Sequence, residues 1–487
     1  MLAAGLACRQ PAPQAEDPVA VDFDGGYGQV EIGGRYVGLE FHDSRPLPSR
    51  VSFYSPVANS LDLSTDYWKR GESRPVVMGI KVDEGPRTWL GKRPWGYRLS
   101  PHSARFVAAE GDLRLTLAYD FCLNEPAAVM SLTIHNAGSS AHAVEVYAHT
   151  ALVLRSCQTY ARFDSARARS TADGIVASFD ERALGRSSVA VQNAGVQPAS
   201  WTSDASALAL SDTGWSNWIA GGGELAGAPS PAGERSRAAA AFVYRVALPP
   251  GDSATITQLL SSAAREEIDR TMERLRATWR EEVARYDSAV RSAANRGLFR
   301  TGDPWTDKAV SYSKALLESN QHFLDGAIVP MPCPAEYNFM FTHDILLTDL
   351  SAIVFDPQRV RRDLLHLLSL SRDSVLSHAY YWKDDAFVTE YCAPGNWNHL
   401  WFVLAAASYL RHTSDTAAVA KLMPVISKGI ALTLTRRRGN LMMGNEPDWW
   451  DFGHAEGTRA YLTILTIRAL EEYQRLLQWD HRKSGLV

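Results

Sequence analysis

A chain of 487 residues that is 46% hydrophobic carries enough apolar mass for two or more cores, and its net charge of −4 argues against a nucleic acid or an acidic polymer as partner. The clusters Arg359, Arg361, Arg362 and Arg436, Arg437, Arg438 fall in or beside helical stretches and read as solvated faces. Fourteen tryptophans and eighteen tyrosines are many for this length. Flat aromatic faces suit the C–H face of a sugar, and they suit cores and interfaces too.

The chain opens on "MLAAGLAC" followed by "RQPAPQAEDP". A short apolar run ending at Cys8 and a Pro-rich tether resemble the end of a bacterial lipoprotein signal with a clipped start. That resemblance implies an exported protein, periplasmic or at the cell surface, with a lipid anchor on Cys8. The other cysteines, Cys122, Cys157, Cys333 and Cys392, have neither metal nor redox spacing, so no metal and no cofactor is expected. No apolar run has the length of a transmembrane helix.

Residues 19–262 read as short alternating runs broken by Gly, Asn, Asp, Ser and Pro, among them "GQVEIGGRYVGLEF" and "LRLTLAYDF". Many strands with no helical period between them predict a large antiparallel β supersandwich. In "SLTIHNAGSSAHAVEVYAHTAL", Leu132 and Ile134 alternate, a Gly-Ser turn follows, and Val144, Val146 and Ala148 alternate again, which predicts a hairpin. Trp68, Trp89 and Trp95 stand beside Arg and Lys as exposed-looking residues, for structural contact or to reach a neighbouring domain.

The period changes at residues 263–300. Ile268, Met272, Leu275, Trp279, Val283, Tyr286 and Val290 are spaced by four or three, one stripe of an amphipathic linking helix. Residues 301–487 then give six helices, near 304–322, 344–353, 357–370, 398–410, 416–436 and 458–477. Pro304 after Asp303 and Pro357 after Asp356 suit first turns.

If successive helices run antiparallel, the connections leading into the second, fourth and sixth share one face. Those three are long: "LDGAIVPMPCPAEYNFMFTHD", "DSVLSHAYYWKDDAFVTEYCAPGNWNH" and "NEPDWWDFGHAEG". The opposite connections are short and plain. Three rich loops ending at helix N-termini describe the mouth of a cleft, with free N–H groups directed into it.

That mouth gathers Glu446, Asp448, Asp451, His343, Asp344, Asp384, Asp385, Glu390 and His399 as polar groups, and Trp382, Trp397, Trp449 and Trp450 as stacking faces. Carboxylates and aromatics without metal-type spacing suit glycosidic-bond chemistry, where one carboxyl protonates the leaving oxygen and a second activates water or attacks. An indole beside a carboxyl also raises its pKa, as a general acid requires. Each residue keeps a plainer alternative: Asp344 as a helix cap, His343 as a structural histidine, Asp384 and Asp385 as solvated loop acids, Trp449 as core.

The arrangement resembles the six-hairpin glycosidases, a superfamily of glucoamylase-like, trehalase-like, glycogen-debranching and cellobiose-phosphorylase-like enzymes. Many bacterial members join an N-terminal supersandwich to an (α/α)6 barrel through a linker helix. "FTHDILLTDLSAIVFDPQRVRRDLLHL" resembles the segment where debranching-type members carry an Arg-Asp pair; here Thr342-His343-Asp344 keeps the aspartate and lacks the arginine. "NHLWFVLAAASYLRHTSD" resembles the fourth helix of the phosphorylase-like members, and "PDWWDFG" resembles the acid-bearing loop. The resemblance implies an inverting glycoside hydrolase with Asp451 as general acid and Asp448 second. Six helices are half of a twelve-helix barrel, so it also implies a fragment whose catalytic base belongs to the other half. Rival expectations are a disaccharide phosphorylase, a polysaccharide lyase and a non-catalytic sugar-binding surface protein. The sandwich is expected either to shape the cleft or to pair two copies as a homodimer.

Overall fold

Residues 113–121 bury every second side chain, as a strand with one face in a core must. In the computed structural model of this protein, which describes residues 17–23, 26–57, 61–64, 70–92, 94–152, 154–155, 162–163, 166–204, 238–297, 299–335, 339–394, 396–444 and 457–483, that strand lies inside a nine-stranded sheet. Leu113–Phe121 pairs antiparallel with Ser103–Glu110 and Ala127–Asn136, and the latter pairs with Ser253–Ala264. A five-stranded sheet centred on His142–Ala151 and a six-stranded sheet containing Gln29–Gly33, Val37–His42 and Arg50–Phe53 complete the β part. Their inner faces fill one core that includes Leu39, Phe41, Phe106, Leu117, Ile134, Val146 and Tyr244. Cys8, Trp68 and Cys157 lie outside the described residues.

Residues 137–141, expected as a hairpin turn, form an arch between layers. Ala127–Asn136 belongs to the nine-stranded sheet, whereas His142–Ala151 pairs with Ala238–Leu248 and Val76–Val82 in the five-stranded one. Leu132, Ile134, Val144 and Val146 still meet in the same core, from opposite sides. Alternation reports which face is buried, and it is blind to which strand lies alongside. Trp89 and Trp95 are also corrected: each is only 8% exposed, and the Trp95 indole donates to the Leu90 carbonyl at 2.9 Å.

The linking helix, α1 (Ile268–Asn295), lays its stripe on the β part. Ile268 and Met272 pack on Val176, Ala190 and Ala263, Leu275 packs on Val129 and Leu259, and Tyr286 and Val290 join the main core. Six helices follow: α2 (Pro304–Ser319), α3 (Thr342–Ala352), α4 (Pro357–Ser369), α5 (Asn398–Thr413), α6 (Thr416–Leu434) and α7 (Ala460–Lys483). Asp303, Asp356 and Asp415 cap α2, α4 and α6 by accepting from backbone N–H groups at 3.0–3.2 Å. α6 has the length and mean hydropathy of a membrane span, 1.5 over its most apolar window, which corrects the expectation that no run does. Half of that window is buried in this fold, where Val419, Leu422, Ile426 and Ile430 belong to the helical core.

Arg359 is 3% exposed and donates to the Leu317 carbonyl at 2.6 Å, so it is no part of a solvated face, whereas Arg361 and Arg362 stay about half exposed, as expected. It sits with Val360, Asp363, Leu364 and Leu367 on the inward stripe of α4. Arg361 and Arg362 reach Asp415 and Gln321 instead. Beneath Arg359, Asp349 of α3 and Asp363 of α4 are both buried at 1% exposure. Burial, reinforced by Asp363, holds the Asp349 carboxyl well above the usual carboxylate range. A raised folded value means that stability falls as pH rises through it, because the unfolded chain releases its proton first. Asp349→Asn, which cannot ionise, is therefore expected to melt at or above the wild-type temperature near pH 7. A clearly lower melting temperature in a calorimetric scan would refute this account of the pair.

Candidate active site

The helices with Asp caps, α2, α4 and α6, alternate in the chain with α3, α5 and α7, and α3 and α5 begin differently. α3 begins after Phe341 and α5 after Trp397, and neither residue supplies a side-chain cap. The first N–H of α5 is met instead by the Asn396 side chain, one residue further back, at 2.8 Å. α5 packs between α3 and α7. The three N-terminal ends converge: the His343 ring of α3 lies 6.2 Å from both Trp397 and Trp401, and Trp401 Nε1 donates to Tyr461 Oη of α7 at 2.8 Å. The predicted mouth is therefore present as a meeting of three helix starts.

Around it the polar groups are ordered by each other. His378 stands edge-on to Trp397 at 6.4 Å, and its Nδ1 accepts from Asn398 Nδ2 at 3.0 Å. Asn396 presents its own amide to the same nitrogen at 3.3 Å and accepts from the Asn398 N–H at 2.8 Å. An Nδ1 that accepts leaves the neutral ring's proton on Nε2. His343 is half-buried, and burial, with His378 adding to it, lowers its pKa to about 4, so it is neutral at pH 7. Trp397 is 9% exposed, and among the described residues its Nε1 and the Asn398 Oδ1 have no hydrogen-bond partner. A buried indole N–H without an acceptor is costly, and one at a cleft mouth is matched by a ligand oxygen.

The other sequence-predicted residues divide. Asp344 lies in the first turn of α3 and is half-buried; it is not the cap. His399 turns away from the mouth: it is 2% exposed and pressed against α6, where a Cβ on Gly429 would fall 2.6 Å from its Nδ1. Asp384 and Asp385 form the two-residue turn between Ser377–Lys383 and Ala386–Tyr391, and Asp384 takes the left-handed φ of +58° that such turns need. Asp385 pairs with Arg182 of the β part at 3.1 Å. Trp382 leaves the site as well, donating its Nε1 to the Ala183 carbonyl at 2.9 Å and packing on the β core. Glu446, Asp448, Trp449, Trp450 and Asp451 lie outside the described residues. The segment that carries them, 445–456, starts and ends on a ladder that pairs Met443 with Thr458 and Gly444 with Gly457, just ahead of α7.

Glu390, expected at the mouth, is joined there by Phe339, Phe341, His378 and Tyr381, which the sequence did not single out. Phe341 pairs with Ala379, and Ala379 with Glu390, so Phe341, Tyr381, Val388 and Glu390 share one face of the small sheet. The Tyr381 hydroxyl donates to Glu390, Phe339 stands edge-on to Tyr381 at 5.0 Å, and Phe341 reaches His378 at 5.6 Å. Parity along "SHAYYWK" was the available signal, and a bulge between Ser377 and Ala379 obscured it.

The described residues thus form a β supersandwich, a linking helix and a partial helical toroid. No protein-family model and no curated protein sequence matches the chain. Among solved structures it is similar to a kojibiose phosphorylase from the human microbiome, with TM-score 0.58 and 9% identity over 97% of this chain and 68% of that one. It is also similar to a bacterial glucoamylase solved with acarbose, at TM-score 0.43 and 9% identity over 91% of this chain and 71% of that one. The first of these carries the fold resemblance.

Proposed function

We propose that the protein is a carbohydrate-active enzyme that cleaves a glycosidic bond with inversion, using a general acid on the 445–456 segment, Asp451 first and Asp448 second. The observation that supports this best is the convergence of three helix starts around His343, Trp397 and Trp401, with a buried indole N–H that has no partner among the described residues. Neutral imidazole, amide and indole donors beside aromatic faces bind sugar hydroxyls without demanding a charged substrate. Glu446, Trp449 and Trp450 would line the same mouth, and export with a lipid on Cys8 would place it outside the cytoplasm.

Two nucleophiles compete. Hydrolysis needs a carboxylate base on the opposite side of the sugar ring. Phosphorolysis needs only bound phosphate and no second carboxylate from the protein. Purified chain with kojibiose, maltose or trehalose is expected to release glucose 1-phosphate when inorganic phosphate is present and nothing without it. Release of glucose independent of phosphate would instead establish hydrolysis and a base within this polypeptide. Binding without turnover under either condition would leave a sugar-binding protein and defeat the catalytic reading.

A further inference from the structure

The β part does more than sit beside the toroid, because it grips two of the three segments that form the mouth. The segment ahead of α3 is held at Pro334 and Ala335: Tyr54 Oη and Ser52 Oγ donate to their carbonyls at 2.5 and 2.8 Å, and Glu31 accepts the Ala335 N–H at 3.1 Å. The approach is so close that a Cβ on Gly38 would fall 2.3 Å from the Pro334 oxygen. Next to it the Tyr54 and His322 rings stack at 4.1 Å, and Phe323 N–H donates to the Arg35 carbonyl at 2.7 Å.

The second gripped segment is the hairpin Ser377–Lys383/Ala386–Tyr391. Its two faces are unlike. One carries Tyr380, Trp382 and Phe387, stacked or edge-on at 5.2–5.3 Å, with Tyr380 donating to Asp325 and Trp382 to Ala183. The other carries Tyr381 and Glu390 beside Phe341, at the start of α3. The base of the hairpin is fixed by Met340–Phe341, which pairs with Tyr380 and Ala379 as a third short strand, while the ribbon beyond Tyr380 has only two strands and little rigidity of its own. The orientation of that outer part is set by what it touches, and it touches the β part at Ala183 and Arg182.

We propose that Trp382 is a positioning residue: docked on the 3-10 turn Arg182–Leu184, it aims the Tyr381–Glu390 face of the hairpin into the mouth and makes the sugar site a product of both domains. The Arg182–Asp385 pair supports the same dock, although both side chains are exposed and such a pair contributes little alone. The Trp382 indole contributes more, since it buries apolar surface on the β core and satisfies its N–H at once. This inference rests on the sugar-site reading for its ligand but not for its geometry.

Two measurements separate them. In ligand-free protein, hydrogen exchange at residues 378–391 is expected to quicken in Trp382→Ala and, to a lesser degree, in Trp382→Phe, with 268–295 unchanged. Trp382→Phe keeps an aromatic ring in the dock and serves if the alanine variant fails to fold. With kojibiose and maltose as probes, Glu390→Gln is expected to weaken binding about tenfold in the wild-type background, as the loss of a charged hydrogen bond does. In the Trp382→Phe or Trp382→Ala background the same change should fall within about twofold, because the carboxylate no longer faces the ligand. Additive effects of the two substitutions would overturn the positioning role while leaving the sugar site standing. A wild-type chain that binds neither sugar would overturn the sugar site, and unaltered hairpin exchange in both variants would overturn the dock itself.

Discussion

Asp451→Asn is expected to lower turnover of a disaccharide by about 10² to 10⁴, the range that a general acid contributes, with the affinity for the sugar changed little. The reasoning starts from the leaving group. A sugar alkoxide is a poor leaving group, so bond cleavage requires a proton at the glycosidic oxygen as the bond breaks. Asn keeps the size and a hydrogen bond but has no proton to give. Two controls make the assignment specific. Glucosyl fluoride departs without protonation, so its turnover should survive the substitution. Asp448→Asn should cost less than Asp451→Asn on the disaccharide. Equal losses on both substrates would mean that Asp451 holds the sugar and does not protonate it, and an undiminished rate on the disaccharide would remove it from the chemistry. The assay is the phosphate-controlled one described above, with initial rates for each variant.

The second large effect is acid lability. Burial lowers the pKa of His322 to about 3 and those of His343 and His399 to about 4, and it lowers His366 as well. All four belong to the helical part. Unfolded histidines bind protons near pH 6.5, so between there and about 4 the unfolded chain holds more protons than the folded one. Stability therefore falls as pH falls through that window. His399, at 2% exposure, contributes roughly 3 kcal/mol by itself at the lower end. The Asp349–Asp363 pair acts in the opposite sense, gaining stability as pH drops, and Asp349→Asn should therefore steepen the acid loss. Melting followed by circular dichroism near pH 7 and near pH 4 is expected to show a large drop in melting temperature. A flat profile would mean that these imidazoles gain partners or water on protonation.

Much of the helical part was legible because its signals are local. Asp303, Asp356 and Asp415 sit where a cap must, and a prolyl follows two of them directly. The stripe from Ile268 to Val290 gave the linking helix its length and its contact face. What stayed hidden depends on partners that sequence spacing does not encode. Trp382 and Tyr381 are adjacent, and the hairpin register alone decides which one faces the cleft. Asn398 and His399 are adjacent at a helix start, so one meets His378 and the other α6. The arch at residues 137–141 joins two sheets whose strands have the same alternation as a hairpin. Arg359 was the avoidable case: it falls one residue before Val360 and four before Asp363, on the same inward stripe, and the periodicity already placed it there.

The ladder that ties Gly444 to Gly457 has an evolutionary implication. The residues on either side of 445–456 are tied to each other at a single point, so the ladder itself does not depend on how long a chain runs between. Lengthening such a closed excursion by half would cost only about 0.4 kcal/mol of closure entropy. A lineage could therefore vary the length of the proposed acid-bearing segment at small entropic cost to the ladder that closes it.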